Sequence, residues 1–155
     1  MTALNTDTNR VFETPDDTNA IPVAATAKIF SGALVGKNAA GYGRPLNAGD
    51  TAVGFAKDNI DNSNGVDGEK TCELKAKGKA SLFIGGISLG DVGRKVYASD
   101  DNTFTLSENG NSVVGKLVRF EKADYGIVAF DFLNADEKAP EAAPAGNNNN
   151  NGEGE

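Results

Sequence analysis

The chain of 155 residues contains no histidine and no tryptophan, and only one cysteine and one methionine. Without imidazole there is no Ser–His or Cys–His pair, no histidine general base and none of the commonest transition-metal ligand. A lone Cys72 excludes an intramolecular disulfide, and with it a disulfide-stapled scaffold. It alternates with Leu74 and Ala76, which reads as a small inward-facing side chain and not as a nucleophile. The start, Met1 to Asp7, lacks the basic end and apolar segment of a signal peptide, and no run approaches a membrane span in length. A soluble chain made in a cytoplasm, with no membrane partner, is the expectation.

What the chain does have is glycine, 19 of them, between short runs of β-branched and aromatic residues. Strands are expected at Ile21–Phe30, Leu34–Val35, Thr51–Lys57, Glu69–Lys77, Ala80–Ile84, Lys95–Ala98, Thr103–Leu106, Ser112–Phe120 and Tyr125–Phe132. Gly78 breaks one run, Ser99–Asn102 reads as a hairpin turn, and Asn109-Gly110 is a second turn. No segment carries a capped helical stripe; Gly85–Asp91 holds a short helical turn at most. The expected fold is all-β, a small barrel or sandwich of short strands. Residues 1–20 read as an extended polar arm with one apolar anchor, Val11-Phe12, for a groove on a neighbour. Residues 21–133 form the β domain, and 134–155 an acidic, Asn-rich flexible tail.

An internal repeat runs through the β domain. Residues 32–54 are echoed 61 positions on by residues 93–115. Gly32 falls on Gly93, Val35 on Val96, Gly49 on Gly110, Val53 on Val114 and Gly54 on Gly115. The shared residues are turn glycines and strand valines, so a supersecondary unit is duplicated and not a reaction site. Matching turns with positive φ are expected at Gly49 and Gly110.

Three local patterns invite chemistry. The glycine-rich stretch Gly85–Lys95 fails the phosphate-loop template, because Asp91 stands where lysine should follow Gly90. Asp58, Asp61, Asn62, Asn64 and Asp67 are oxygen donors in one loop, yet their spacing does not fit a calcium hand, and a solvated loop is preferred. Lys70, Lys75, Lys77 and Lys79 have the spacing of a solvated strand face. The formal net charge of −7 argues against nucleic acid as a partner. No cofactor and no metal is expected.

The stretch Gly90-Asp91-Val92-Gly93-Arg94-Lys95-Val96-Tyr97, with Thr103-Phe104-Thr105 after the turn and Gly110-Asn111-Ser112 before a Val-rich strand, resembles the head decoration, or capsid cement, proteins of tailed phages. Gly49–Ala56 resembles that family's first strand pair, and the likeness covers Ile21 to Phe132. It implies a structural virion protein without enzymatic activity. Such a protein sits on the outer capsid surface against the major capsid protein, commonly as a homotrimer, and is assembled in the host cytoplasm. The alternative is a receptor- or glycan-binding β module of a phage or bacterial surface.

Overall fold

The computed structural model describes residues 3–134, leaving aside the side chains of residues 13–16. Eleven strands follow one another: β1 (Phe12–Pro22), β2 (Lys28–Ile29), β3 (Leu34–Lys37), β4 (Gly43–Pro45), β5 (Thr51–Ala56), β6 (Ile60–Asp61), β7 (Thr71–Phe83), β8 (Lys95–Ala98), β9 (Phe104–Thr105), β10 (Ser112–Lys122) and β11 (Tyr125–Asp131). A 3-10 turn, Leu89–Asp91, is the only helical element among the described residues. The fold is all-β, as the turn-rich composition demands: one curled sheet in the order β4-β3-β5-β7-β11-β10-β8-β9, with β1 on β7, and a small β2–β6 pair.

Several boundaries differ from expectation: the strand expected at Ile21–Phe30 is broken by a turn at Ala25-Thr26, and the short β4 and β6 form where no strand is expected. Residues 1–20, expected to be an arm, are instead strand from Phe12 and pair with β7, so β1 begins well before Ile21. Its polar residues are poor strand formers; register against β7 decides, with Asp17 reaching Lys77 at 3.9 Å. Gly78 does not break its strand either. It pairs with Phe130 and adopts φ 150, leaving β7 continuous through it. The expectation for the tail lies outside the described residues from 135 onward.

The repeat holds at the level of register. Val35 pairs with Gly54 and Gly36 with Ala52, skipping Val53 as a bulge. In the second copy Val96 pairs with Gly115 and Tyr97 with Val113, skipping Val114. The third strands agree too: Gly36 faces Arg44 as Tyr97 faces Thr105. Gly32 N–H donates to Ala56 O at 2.9 Å and Gly93 N–H to Leu117 O at 2.7 Å, closing the same loop twice. Gly49 and Gly110 have φ 88 and 75, so both turns need the left-handed backbone that glycine supplies at least cost.

A fourth strand extends the unit beyond what the sequence shows. Ala56 pairs with Leu74 on β7, and its counterpart Leu117 pairs with Val128 on β11, 54 positions on from Leu74. Under that offset Lys77 corresponds to Asp131, the residue it pairs with. Two equivalent antiparallel strands thus meet about a local two-fold, and the strand order reads as β4-β3-β5-β7 followed by its mirror, β11-β10-β8-β9.

Equivalent side chains make equivalent cores. Val35, Ala56 and Leu74, with Val53 against them, belong to the smaller cluster. Val96, Val114, Leu117 and Val128 belong to the larger. The symmetry stops at the opposite face. In the first unit Leu34, Ala52 and Phe55 are buried in the larger cluster as well. Their counterparts Lys95, Val113 and Lys116 are exposed.

The first turn is tightened by charge. Asp50 accepts from Arg44 at 2.8 and 3.0 Å and from the Asn47 N–H at 3.1 Å. Partial burial would raise its pKa, but these hydrogen bonds outweigh it and hold the carboxyl below its usual value. A lowered carboxyl stabilises the fold above the unfolded pKa of 3.8, and that contribution is lost as pH falls through the folded value. Asp50→Asn is therefore expected to cost about 1 kcal/mol at neutral pH. The gap to the parent, followed by urea denaturation, should narrow below pH 3.8 and then close. A gap that stays constant down to acid pH counts against this account.

Candidate functional site

The segments singled out for chemistry are occupied by structural work. Cys72 is fully buried; burial first, then the charges of Asp58 and Glu73, push its thiol up to about 12, so no thiolate forms near neutral pH. In the glycine-rich stretch the Asp91 carboxylate accepts from Ser88 N–H (2.8 Å), Ser88 Oγ (3.1 Å) and Arg94 (2.9 Å). The loop is closed on itself. The hydrogen bond from the Ser88 backbone, ahead of Arg94 and the Ser88 hydroxyl, holds Asp91 below the usual carboxylate range.

The acidic loop is pinned in the same way. Asn62 is 1% exposed and donates from Nδ2 to Ala24 O and Val66 O at 3.0 Å, fixing the loop under the chain that enters β2. Asp61 accepts from the Ser63 N–H, and Asp67 accepts from the Ala25 N–H at 2.7 Å. Among the described residues no three acidic or cysteine side chains come together as a metal cage. The lysines are spread as well: Lys70 donates to Asp61 O, Lys77 lies between Asp17 and Asp131, and Lys75 sits over the Phe12 ring at 4.7 Å.

Val11 and Phe12 part company. Val11 is 63% exposed. The Phe12 ring packs into its own chain, edge-on to Phe55 at 6.0 Å and to Phe130 at 6.4 Å, contacts worth about 0.5–1.5 kcal/mol each beyond area burial. Beside it Arg10 reaches inward, a residue that no local pattern marks out. Its Nε donates to Gly32 O at 2.5 Å and its Nη2 to Asn102 Oδ1 at 2.6 Å, with the guanidinium 5.0 Å from the Phe104 ring. Burial lowers its pKa to about 10, partly offset by the charge of Asp101. Asp101, 1% exposed, accepts from Leu4 N–H at 2.9 Å; burial raises its pKa despite that bond. The segment before β1 is thereby strapped over the first repeat and tied to the β8–β9 turn.

The strap leaves the two repeats with different outer sides. A Cβ on Gly32 would collide with Thr8 O, whereas a Cβ on its counterpart Gly93 would meet nothing within 4 Å. Around Gly93 the outer side of β8 and β10 is open, carrying Lys95 and Lys116 beside Val113, 58% exposed. Nearby on the chain Leu89 and Val92 are exposed at 74% and 40%. The signal for this face lay in the 61-residue offset, which sets Lys95 on Leu34 and Lys116 on Phe55. An open, mixed apolar and basic sheet face can dock another surface; it offers no converging acid, base or nucleophile. No protein-family model, no curated protein and no solved structure matches the chain.

Proposed function

We propose that this protein is a structural virion component that binds the outer surface of a phage capsid and stabilises it, without catalysing a reaction. One observation carries the reading. The stretch that resembles the decoration proteins, Gly90 to Val118, folds as β8, β9 and the first part of β10, and its outer side is the open face of the duplicated unit. A rigid β body with one uncovered face suits a protein whose task is contact. The acidic balance suits a surface turned away from packaged nucleic acid.

Stable attachment needs about 1,200–2,000 Å² of interface in total, much for one small face. A homotrimer on a symmetry axis multiplies weak contacts through effective concentration, and Val11 remains exposed for a neighbour. The test is quantitative protein analysis of purified particles, with heat resistance measured before and after the protein is stripped. Copies in fixed proportion to the major capsid protein, and heads that fail at lower temperature once stripped, are expected. Low copy number in step with tail proteins would favour a receptor- or glycan-binding module, and absence from particles would overturn the reading.

A further inference from the structure

Lys95 and Lys116 are cross-strand partners on β8 and β10, directly opposite each other. Like charges in that position destabilise a sheet. Neither lysine has an ion pair or other partner among the described residues. The same position in the first repeat is the pair Leu34 and Phe55, wholly buried. There the face packs against Phe104 and Phe130 in the larger core and is also crossed by an extended segment, Thr8 to Phe12. Thr8 N–H donates to Ser31 O at 3.0 Å, Arg10 bonds Gly32 O, and the Arg10 guanidinium lies 5.6 Å from the Phe55 ring. The second repeat has the same backbone platform, with Gly93 in the left-handed region at φ 99 and free space above it. A cation in the place of Arg10 would be repelled by the two lysines; a carboxylate would relieve their mutual repulsion.

We infer that the open face of the second repeat binds an extended acidic segment of a partner protein, laid across Val92–Lys95 and Val113–Lys116 as Thr8–Phe12 is laid across the first repeat. Carboxylates meet the lysine pair, and small apolar side chains between them cover Val113. The inference deepens the proposed function by naming the contact face and the chemistry of its partner, and it rests on that reading only for where the segment comes from.

The test uses the isotopically labelled full chain and a short peptide of alternating Glu and Val, with a Lys-for-Glu peptide as its counterpart. Amide shifts confined to 92–95 and 113–116 are expected with the acidic peptide alone. Affinity should fall at least about tenfold in Lys95→Glu/Lys116→Glu and be unchanged in Lys37→Glu, on an exposed position of the first repeat. Lys95→Glu alone turns a like-charge pair into an opposite one. It should raise the denaturation midpoint while weakening binding, a combination that a purely structural role would not give. No shift at this face, equal shifts with the basic peptide, equal binding by an oligonucleotide of the same charge, or a lowered midpoint in Lys95→Glu would each overturn the inference. Peptide binding in a protein that ignores purified capsid shells would instead strike the proposed function alone.

Discussion

Gly115→Ala is expected to lose a large share of the protein's stability, with a urea midpoint far below the parent's. A Cβ at this position would collide with the carbonyl oxygen of Ala129 and stand 3.0 Å from its carbon and 3.2 Å from Phe130 Cα. All three atoms are backbone of β11, so no side chain can swing aside; the β10–β11 ladder has to open. Overpacking that a core absorbs costs about 1–3 kcal/mol, and a clash with fixed backbone exceeds it. Set against a typical total stability of about 5–15 kcal/mol, that is a large share. The counterpart Gly54 is constrained by the equivalent carbonyl: its Cβ would lie 2.9 Å from Lys75 O, at φ 155. Gly110→Ala is the control, with φ 75 and nothing within 4 Å, and should cost only about 1 kcal/mol. Urea midpoints should rank Gly110→Ala well above Gly115→Ala and Gly54→Ala. If Gly115→Ala unfolds beside Gly110→Ala, the close approach is not what fixes glycine in both copies.

Removing the Arg10 guanidinium should have the next largest effect. Arg10→Met keeps an apolar stem but leaves Gly32 O and Asn102 Oδ1 without their donor and Asp101 without its nearest balancing charge. Breaking a largely desolvated charged network by deleting one member costs about 3 kcal/mol. Residues 3–9 should come loose first, read as faster hydrogen exchange at the Leu4 and Thr8 amides. A pH signature separates this from simple loss of packing. Burial already raises the Asp101 pKa, and losing Arg10 raises it further. A raised carboxyl binds its proton more readily when folded, so stability increases as pH falls through the folded pKa toward the unfolded value of 3.8. The deficit of Arg10→Met should therefore shrink on mild acidification, and a deficit indifferent to pH would reject the role given to Asp101.

These two sites differ in how far the sequence announces them. Gly54 and Gly115 stand out in the repeat because turns and bulges are local, and local constraints leave identities behind. The strand pair β7 and β11 belongs to the same repeat but is hidden. The connection from β5 carries β6 and the Asn62 loop, that from β10 is a tight turn with Asp124 at φ 64, and only apolar character survives between Leu74 and Val128. Arg10 was invisible for a different reason. Its acceptors lie 22 and 92 positions away, and nothing local marks a polar segment that packs by long-range contact. The same blindness made residues 1–20 look like a free arm, when Phe12 had a place in the core. The open face was legible in principle: two lysines stand where the first copy has leucine and phenylalanine, a difference that shows only once the copies are aligned.

The unequal treatment of the two repeats also fixes an order of events during synthesis. β3, β4, β5 and the first part of β7 can pair with one another once Lys75 has left the ribosome, whereas Lys77 to Phe83 wait for β11. The second face of this first unit, with Leu34, Ala52 and Phe55, is covered only in part, by Arg10 and Phe12, until Phe104, Leu117 and Phe130 arrive. Through that interval the nascent chain carries a greasy sheet surface, the kind that recruits chaperones or sticks to its like. The later repeat passes through no such stage, because its corresponding side is lysine and needs no lid. Resurfacing one copy of a duplicated unit thus confines the hazard to the time before translation reaches β11, and a chain stopped there has self-association as its nearest way to bury Phe55.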